Sequence, residues 1–229
     1  MRLGVLFSGG KDSTLALHKA AEKGEDIVCL ITVVSRNVES YMFHTPNIGI
    51  TRLQAKALGL SLVRKVTEGK REEELEDLKE AIIQAKRKFK IEGVVSGAVE
   101  SVYQTERIQR ICNDLGLCSV NPLWKMNQQK LLEEIVQKNF KVIISGVFAY
   151  PLDASWLGKE IDNAMIEKLV ELGKKYGLSP SGEGGEIETT VLDAPRFRKS
   201  IEILDFKIEA KGNSGIFKIM KAKLMKKQS

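Results

Sequence analysis

The sequence predicts an α/β protein built on a doubly wound parallel sheet, followed by a smaller C-terminal α+β domain. Three observations predict it. Short apolar runs rich in β-branched residues alternate with helical patterns over the first half of the chain. A glycine-rich turn follows the first apolar run directly and opens the first helical pattern. The alternation then changes character after Trp124.

The elements follow in order. Leu3 to Phe7 reads as a buried strand, and Ser13 to Lys23 as a helix with Leu15, Leu17, Ala20 and Ala21 inward. Ile27 to Val34 is a second strand, Ile50 to Leu58 a helix ended by Gly59, and Leu60 to Val66 a third strand. Glu72 to Lys88 reads as a long charged helix with Leu75, Leu78, Ile82 and Ile83 inward. Gly93 to Ser96 is a fourth strand, Glu106 to Leu115 a helix closed by Gly116, and Leu117 to Val120 a fifth strand. Beyond Trp124, Gln128 to Asn139 is helical, Lys141 to Phe148 a strand and Asp162 to Tyr176 a helix. Ser179 to Glu186 reads as a Gly-, Ser- and Glu-rich loop. Ser200 to Leu224 reads as two antiparallel strands joined at Lys211 to Gly215. The expected division is residues 1–125 for nucleotide binding and 126–229 for substrate.

Composition bounds the function. The 229 residues are 43% hydrophobic and 29% charged, with a net charge of +6, which suits a folded core and polyanionic partners. Lys218, Lys221, Lys223, Lys226 and Lys227 supply much of the excess and read as a solvated terminus. Cys29, Cys112 and Cys118 are odd in number and form no CxxC pair, so neither a disulfide framework nor a structural zinc site is indicated. No segment has the length of a membrane span, and the apolar start is too short for a signal peptide. A cytoplasmic protein is expected.

Ser8-Gly9-Gly10-Lys11-Asp12-Ser13 is the segment that carries chemistry. Two glycines let the backbone turn tightly against an anion, and the helix that follows presents unpaired N–H groups and the positive end of its dipole. Lys11 adds a charge, Ser8 and Ser13 add hydroxyls, and Asp12 is a candidate magnesium ligand or cap. Neither GxxxxGK[ST] nor GxGxxG is present. The segment resembles the SGGxDS signature of the PP-loop ATPases, of Rossmann-like HUP fold. That resemblance implies ATP cleaved between its α- and β-phosphates, with Mg2+, and a substrate activated as an adenylate.

Further segments extend the likeness: Ser96-Gly97-Ala98, Ser101, Tyr103-Gln104-Thr105-Glu106-Arg107, Cys112, Gly116-Leu117, Pro122-Leu123-Trp124, Trp156-Leu157-Gly158 and Gly182-Glu183-Gly184-Gly185-Glu186-Ile187-Glu188-Thr189. Together they are similar to the diphthine–ammonia ligase family in its minimal archaeal form. Ile187 stands where that family often has an aromatic residue. The resemblance implies amidation of diphthine on translation elongation factor 2 with ammonia, releasing AMP and pyrophosphate. It places Gln104 beside the nucleotide, and Arg107 offers a planar fork for phosphate. It makes the loop of Glu183, Glu186 and Glu188 face a substrate that carries a trimethylammonium group. Tyr103, Trp124 and Trp156 are candidate aromatic walls for it. His44, after the second strand, is a candidate nucleotide contact, and His18 reads as structural. With Arg at position 2, two histidines and a buried Cys29, no glutaminase centre is visible, so free ammonia is expected. The competing reading is a tRNA-modifying PP-loop enzyme that adenylates a nucleobase. The basic residues form no stripe with interleaved aromatics, so nucleic acid is not the expected partner. Self-association is left open.

Overall fold

The computed structural model describes residues 1–37, 46–70 and 73–227. Five strands pair in parallel in the order β3-β2-β1-β4-β5. They are β1 (Arg2–Leu6), β2 (Asp26–Ser35), β3 (Ser61–Thr67), β4 (Gly93–Val95) and β5 (Cys118–Val120). Four helices connect or follow them: α1 (Lys11–Glu22), α2 (Thr51–Leu58), α3 (Glu73–Phe89) and α4 (Val102–Asp114). The chain builds outward from β1 to β3, then crosses back to add β4 and β5. Strand order therefore reverses between β1 and β4, and the loops leaving those two strands share one crevice. This is the doubly wound sheet that the alternating pattern predicts.

Local chemistry explains the helix ends. Gly59 closes α2 in the left-handed region at φ 70. In α3 the acidic Glu73, Glu74 and Glu76 lie at the start and the basic Lys86, Arg87 and Lys88 at the end, each sign opposing the helix dipole. Its Leu78, Ala81, Ile82 and Ala85 recur at helical spacing and are buried. The expected start of this helix at Glu72 lies outside the described residues. α4 corrects the sequence reading, which began that helix at Glu106. The Ser101 hydroxyl accepts from the Gln104 N–H at 3.3 Å, so the helix starts at Val102 and carries Tyr103, Gln104 and Arg107 within it.

The second sheet is antiparallel, in the order β7-β6-β9-β8. Its strands are β6 (Lys141–Val147), β7 (Ile187–Asp193), β8 (Lys199–Lys211) and β9 (Ser214–Lys226), with helices α5 (Gln128–Gln137) and α6 (Asn163–Tyr176). The hairpin β8–β9 turns at Gly212 and Asn213, within the expected segment. β7 is the element that the sequence reading lacked.

Packing joins the two sheets. One face of the parallel sheet lies under α3 and α4, with Ile31, Val33, Leu78, Ile82, Val94 and Ile111 in the contact. The other face continues into a single hydrophobic cluster. Leu3 and Val5 of β1, Leu15 of α1, Leu131 and Ile135 of α5, Ile144 of β6, Leu169 of α6 and Val191 of β7 all belong to it. Among the described residues no helix is long and apolar enough to cross a membrane.

Candidate active site

The glycine turn lies at the reversal of strand order. Gly9 adopts φ +84, and a Cβ there would stand 2.3 Å from Gln54 Oε1, so the turn needs glycine on both counts. The Gly9 carbonyl accepts from Gln54 Nε2 at 2.8 Å and from the Val191 N–H at 3.0 Å. Gln54 is fully buried, and its second Nε2 hydrogen goes to the Val191 carbonyl at 2.8 Å. Ser8 Oγ accepts from the Gly10 N–H at 3.4 Å and lies 3.2 Å from Ser13 Oγ. No side chain among the described residues caps α1. The N–H groups of Asp12 and Ser13 have no acceptor among the described residues, so two amide donors stand free at the positive end of the helix. Gly97 approaches this point from β4, where a Cβ would come within 2.8 Å of Asp12 C and Ser13 N.

One buried lysine here faces three half-buried carboxylates. Lys11 is 3% exposed, and its Nζ holds Asp12 Oδ2 at 2.8 Å. Burial opposes the ammonium charge, but Asp12, Glu183 and Glu188 outweigh it and hold the Lys11 pKa above its ordinary value. Burial pushes the Glu188 carboxyl up to about 7, opposed by Lys11 and reinforced by Asp12. Burial likewise raises Glu183 to about 6, with Asp12 adding to the shift and Lys11 opposing it. Asp12 Oδ1 is buried and makes no hydrogen bond among the described residues, an oxygen suited to a cation. Among the described residues no three His, Cys, Asp or Glu side chains cluster as a metal site. Any magnesium ion held by Asp12 would therefore complete its shell with phosphate oxygens and water.

A cavity of about 360 Å³ gathers these groups. Ser8, Gly10, Lys11, Asp12 and Ser13 line one side, and Ser96, Gly97, Ser101 and Gln104 another. Glu183, Gly184, Gly185, Ile187, Glu188 and Thr189 close the third. Gly9 stands behind the loop, bonded to Gln54. Other expected residues lie elsewhere. Glu186 Oε1 accepts from the Ser179 N–H at 3.0 Å, so that carboxylate stitches its own loop and does not line the cavity. The Arg107 guanidinium lies 3.3 Å from the Tyr103 ring centre and donates to the Tyr103 carbonyl at 3.4 Å, one helical turn away. Neither of these two residues lines the cavity. Trp124 and Trp156 are half-buried outside it. His44 lies outside the described residues. His18 is buried, bonded to Thr14 O at 2.8 Å through Nδ1 and to the Arg196 N–H at 3.1 Å through Nε2. Burial pushes the thiols of Cys29 and Cys112 to about 12 and about 11, which keeps them protonated and unreactive.

Residues that the sequence reading passed over complete the site. Thr189 Oγ1 accepts from the Lys11 N–H at 3.1 Å, across 178 residues of sequence. Gln54 braces Gly9 from α2, and Ser96 and Gly97 carry the end of β4 into the cavity. Thr189 and Ser96 stand inside segments that carry the family likeness, which is the one signal that could have found them. The arrangement sets free amides and a buried lysine opposite a half-buried acidic wall.

The family described as "Diphthamide synthase N-terminal domain" matches residues 1–119, and "Diphthamide synthase C-terminal domain" matches residues 127–225. The diphthine–ammonia ligase of Bos taurus is 38% identical over 220 residues, covering 88% of this chain and 82% of that protein. That of Homo sapiens is 37% identical over 220 residues, with the same coverage of 88% and 82%. That of Schizosaccharomyces pombe is 34% identical over 221 residues, covering 90% of this chain and 36% of the longer yeast protein. A solved structure titled as a predicted subunit of tRNA methyltransferase, from Methanocaldococcus jannaschii, aligns with TM-score 0.43 and 19% identity. That alignment covers 85% of this chain and 98% of the other, and its score is too low to carry an argument. With both halves matched and more than a third of positions shared with the mammalian enzymes, the chain belongs to the diphthamide synthase family.

Proposed function

We propose that the chain is an ATP-dependent carboxylate–ammonia ligase of the cytoplasm. It converts diphthine on translation elongation factor 2 to diphthamide with ammonia, through an acyl-adenylate, and releases AMP and pyrophosphate. One observation carries the reading. Two free amides and a buried lysine at the start of α1 open into a cavity whose far wall is the Glu183–Thr189 segment. The relatives named above are diphthine–ammonia ligases.

The chemistry follows from the groups present. A carboxylate is a poor electrophile because its leaving group would be oxide. Adenylation supplies a good one. The amides of Asp12 and Ser13, the Lys11 ammonium and the hydroxyls of Ser8 and Ser13 hold the phosphates where that exchange occurs. Asp12 would hold Mg2+ through Oδ1, which has no partner among the described residues. When bound, that ion neutralises phosphate charge. Gln104 reaches the nucleotide from α4, and the Arg107–Tyr103 stack stiffens the turn that carries it. Residues 1–125 thus supply the nucleotide grip, and residues 126–229 the substrate side. Catalysis is positioning and charge stabilisation rather than covalent attack by the protein.

The test is to incubate the protein with diphthine-bearing elongation factor, ATP and ammonium. The expected products are the amide, read by the mass of the factor, together with AMP and pyrophosphate. No amide, or ADP and phosphate in place of AMP and pyrophosphate, overturns the reading.

A further inference from the structure

The walls of the cavity belong to different sheets. The glycine turn and Ser96-Gly97 leave strands of the parallel sheet, and the Glu183–Thr189 segment runs into β7 of the antiparallel one. Ile48 is the one lining residue between β2 and α3 among the described residues. With Leu6, Phe7, Ile31 and Val33 it makes part of the lining apolar. Phosphates gain nothing from such a surface, whereas the nucleoside end of ATP does.

Ile48 opens a 3₁₀ turn, Ile48–Ile50, that leads into α2, and so short a turn needs support from outside itself. The residue before it supplies that support. Asn47 has φ 63, in the left-handed region that Asn tolerates better than most residues with a side chain. Its Oδ1 accepts from the Ile219 N–H at 2.8 Å, and its Nδ2 donates to the Phe217 carbonyl at 2.8 Å. Nδ2 also reaches Thr190 Oγ1 of β7, at 3.5 Å. The partners fix which end of the amide is which, because a carbonyl only accepts and an N–H only donates. β6 pairs with β9 at Gly215 and Ile216 alone. At Phe217 and Ile219 the Asn47 carboxamide stands where the peptide group of a neighbouring strand would, and satisfies the same backbone groups.

We propose that Asn47 is a positioning residue for nucleotide binding: its carboxamide, bracketed by Phe217 and Ile219 of β9, fixes Ile48 as a nucleoside wall of the cavity. Asn combines what the bracket needs. Glycine would adopt the same backbone but bring no amide. Aspartate would keep the shape and the bond from the Ile219 N–H but could not donate to the Phe217 carbonyl. Without the bracket the 3₁₀ turn samples other arrangements, and binding ATP must first restore the competent one.

This inference rests on the ATP site of the ligase reading, and the experiment separates the two. Wild type, Asn47→Gly, Ile48→Ala and the double variant are titrated calorimetrically with ATP and with inorganic tripolyphosphate. Asn47→Gly is expected to weaken ATP about tenfold, as when the competent arrangement is populated a tenth of the time. Tripolyphosphate meets the glycine turn but has no nucleoside, so all four proteins are expected to bind it alike. The double variant is expected to bind ATP no worse than Ile48→Ala, because a wall already removed cannot be misplaced. Asn47→Gly binding ATP as tightly as wild type would reduce Asn47 to its backbone conformation and overturn the proposal. Equal loss of ATP and tripolyphosphate, or additive losses in the double variant, would overturn it too, since either routes the effect through the fold at large. No ATP binding by wild type would instead overturn the ligase reading itself. Should Asn47→Gly melt below the assay temperature, Asn47→Asp, which keeps the bond from the Ile219 N–H, carries the same comparison.

Discussion

At the scale of single residues, Lys11 is the cation on which the buried site depends. Its ammonium is 3% exposed and faces Asp12, Glu183 and Glu188. Lys11→Ala removes the charge and leaves three carboxylates to repel both one another and the triphosphate. ATP affinity is expected to fall by about tenfold to a hundredfold, from the ~1.5–3 kcal/mol of one charged hydrogen bond. Calorimetric titration with ATP checks this, and unchanged circular dichroism shows that the fold survives. His18 makes a different prediction. Thr14 O takes the Nδ1 hydrogen, and the Nε2 lone pair accepts from the Arg196 N–H, so both nitrogens are satisfied only when the ring is neutral. Burial pushes its pKa from 6.5 down to about 4. Above pH 6.5 the ring is neutral folded or unfolded, and its contribution is whole. As pH falls from 6.5 towards 4 the unfolded chain takes up the proton first, and stability declines by about 3 kcal/mol at most. Urea unfolding at a series of pH values should show that decline, and His18→Gln should flatten it.

At the scale of elements, the sequence is most legible where burial is two-sided. β1 and β2 announce themselves as apolar runs because the middle of a parallel sheet is covered on both faces, whereas the edge strand β3, with Arg64 and Lys65, is only partly buried. The phosphate turn is legible because glycine is required there. β7 is not. Its Ile187-Glu188-Thr189-Thr190-Val191 follows a Gly- and Glu-rich loop, and its polar residues serve the cavity instead of an apolar stripe. The start of α4 is equally hidden, since Tyr103, Gln104 and Thr105 carry no apolar period and only the Ser101 cap marks it. Nor does any local pattern tell that Gln54 of α2 ties the turn to β7. Gln54→Leu keeps the volume but removes the donor to the Gly9 and Val191 carbonyls. The expected cost is about 2 kcal/mol of stability, or roughly 4–8 °C in melting temperature for a chain of this size. ATP affinity should weaken with it, because Gly9 loses its brace. A thermal melt with and without nucleotide measures both.

At the scale of the whole molecule, one hydrophobic cluster runs from β1 through α1 to α5, β6 and β7. Neither sheet can lose that contact without exposing the apolar face of α1, so calorimetry is expected to show one unfolding transition rather than two. Two resolved peaks would mean that the sheets melt independently. The bond from the Lys11 N–H to Thr189 has a further consequence. It joins positions 178 residues apart, so the grip on phosphate stays unfinished until β7 has left the ribosome. A growing polypeptide that already displays the glycine turn would remain idle towards nucleotide until β7 settles beside it.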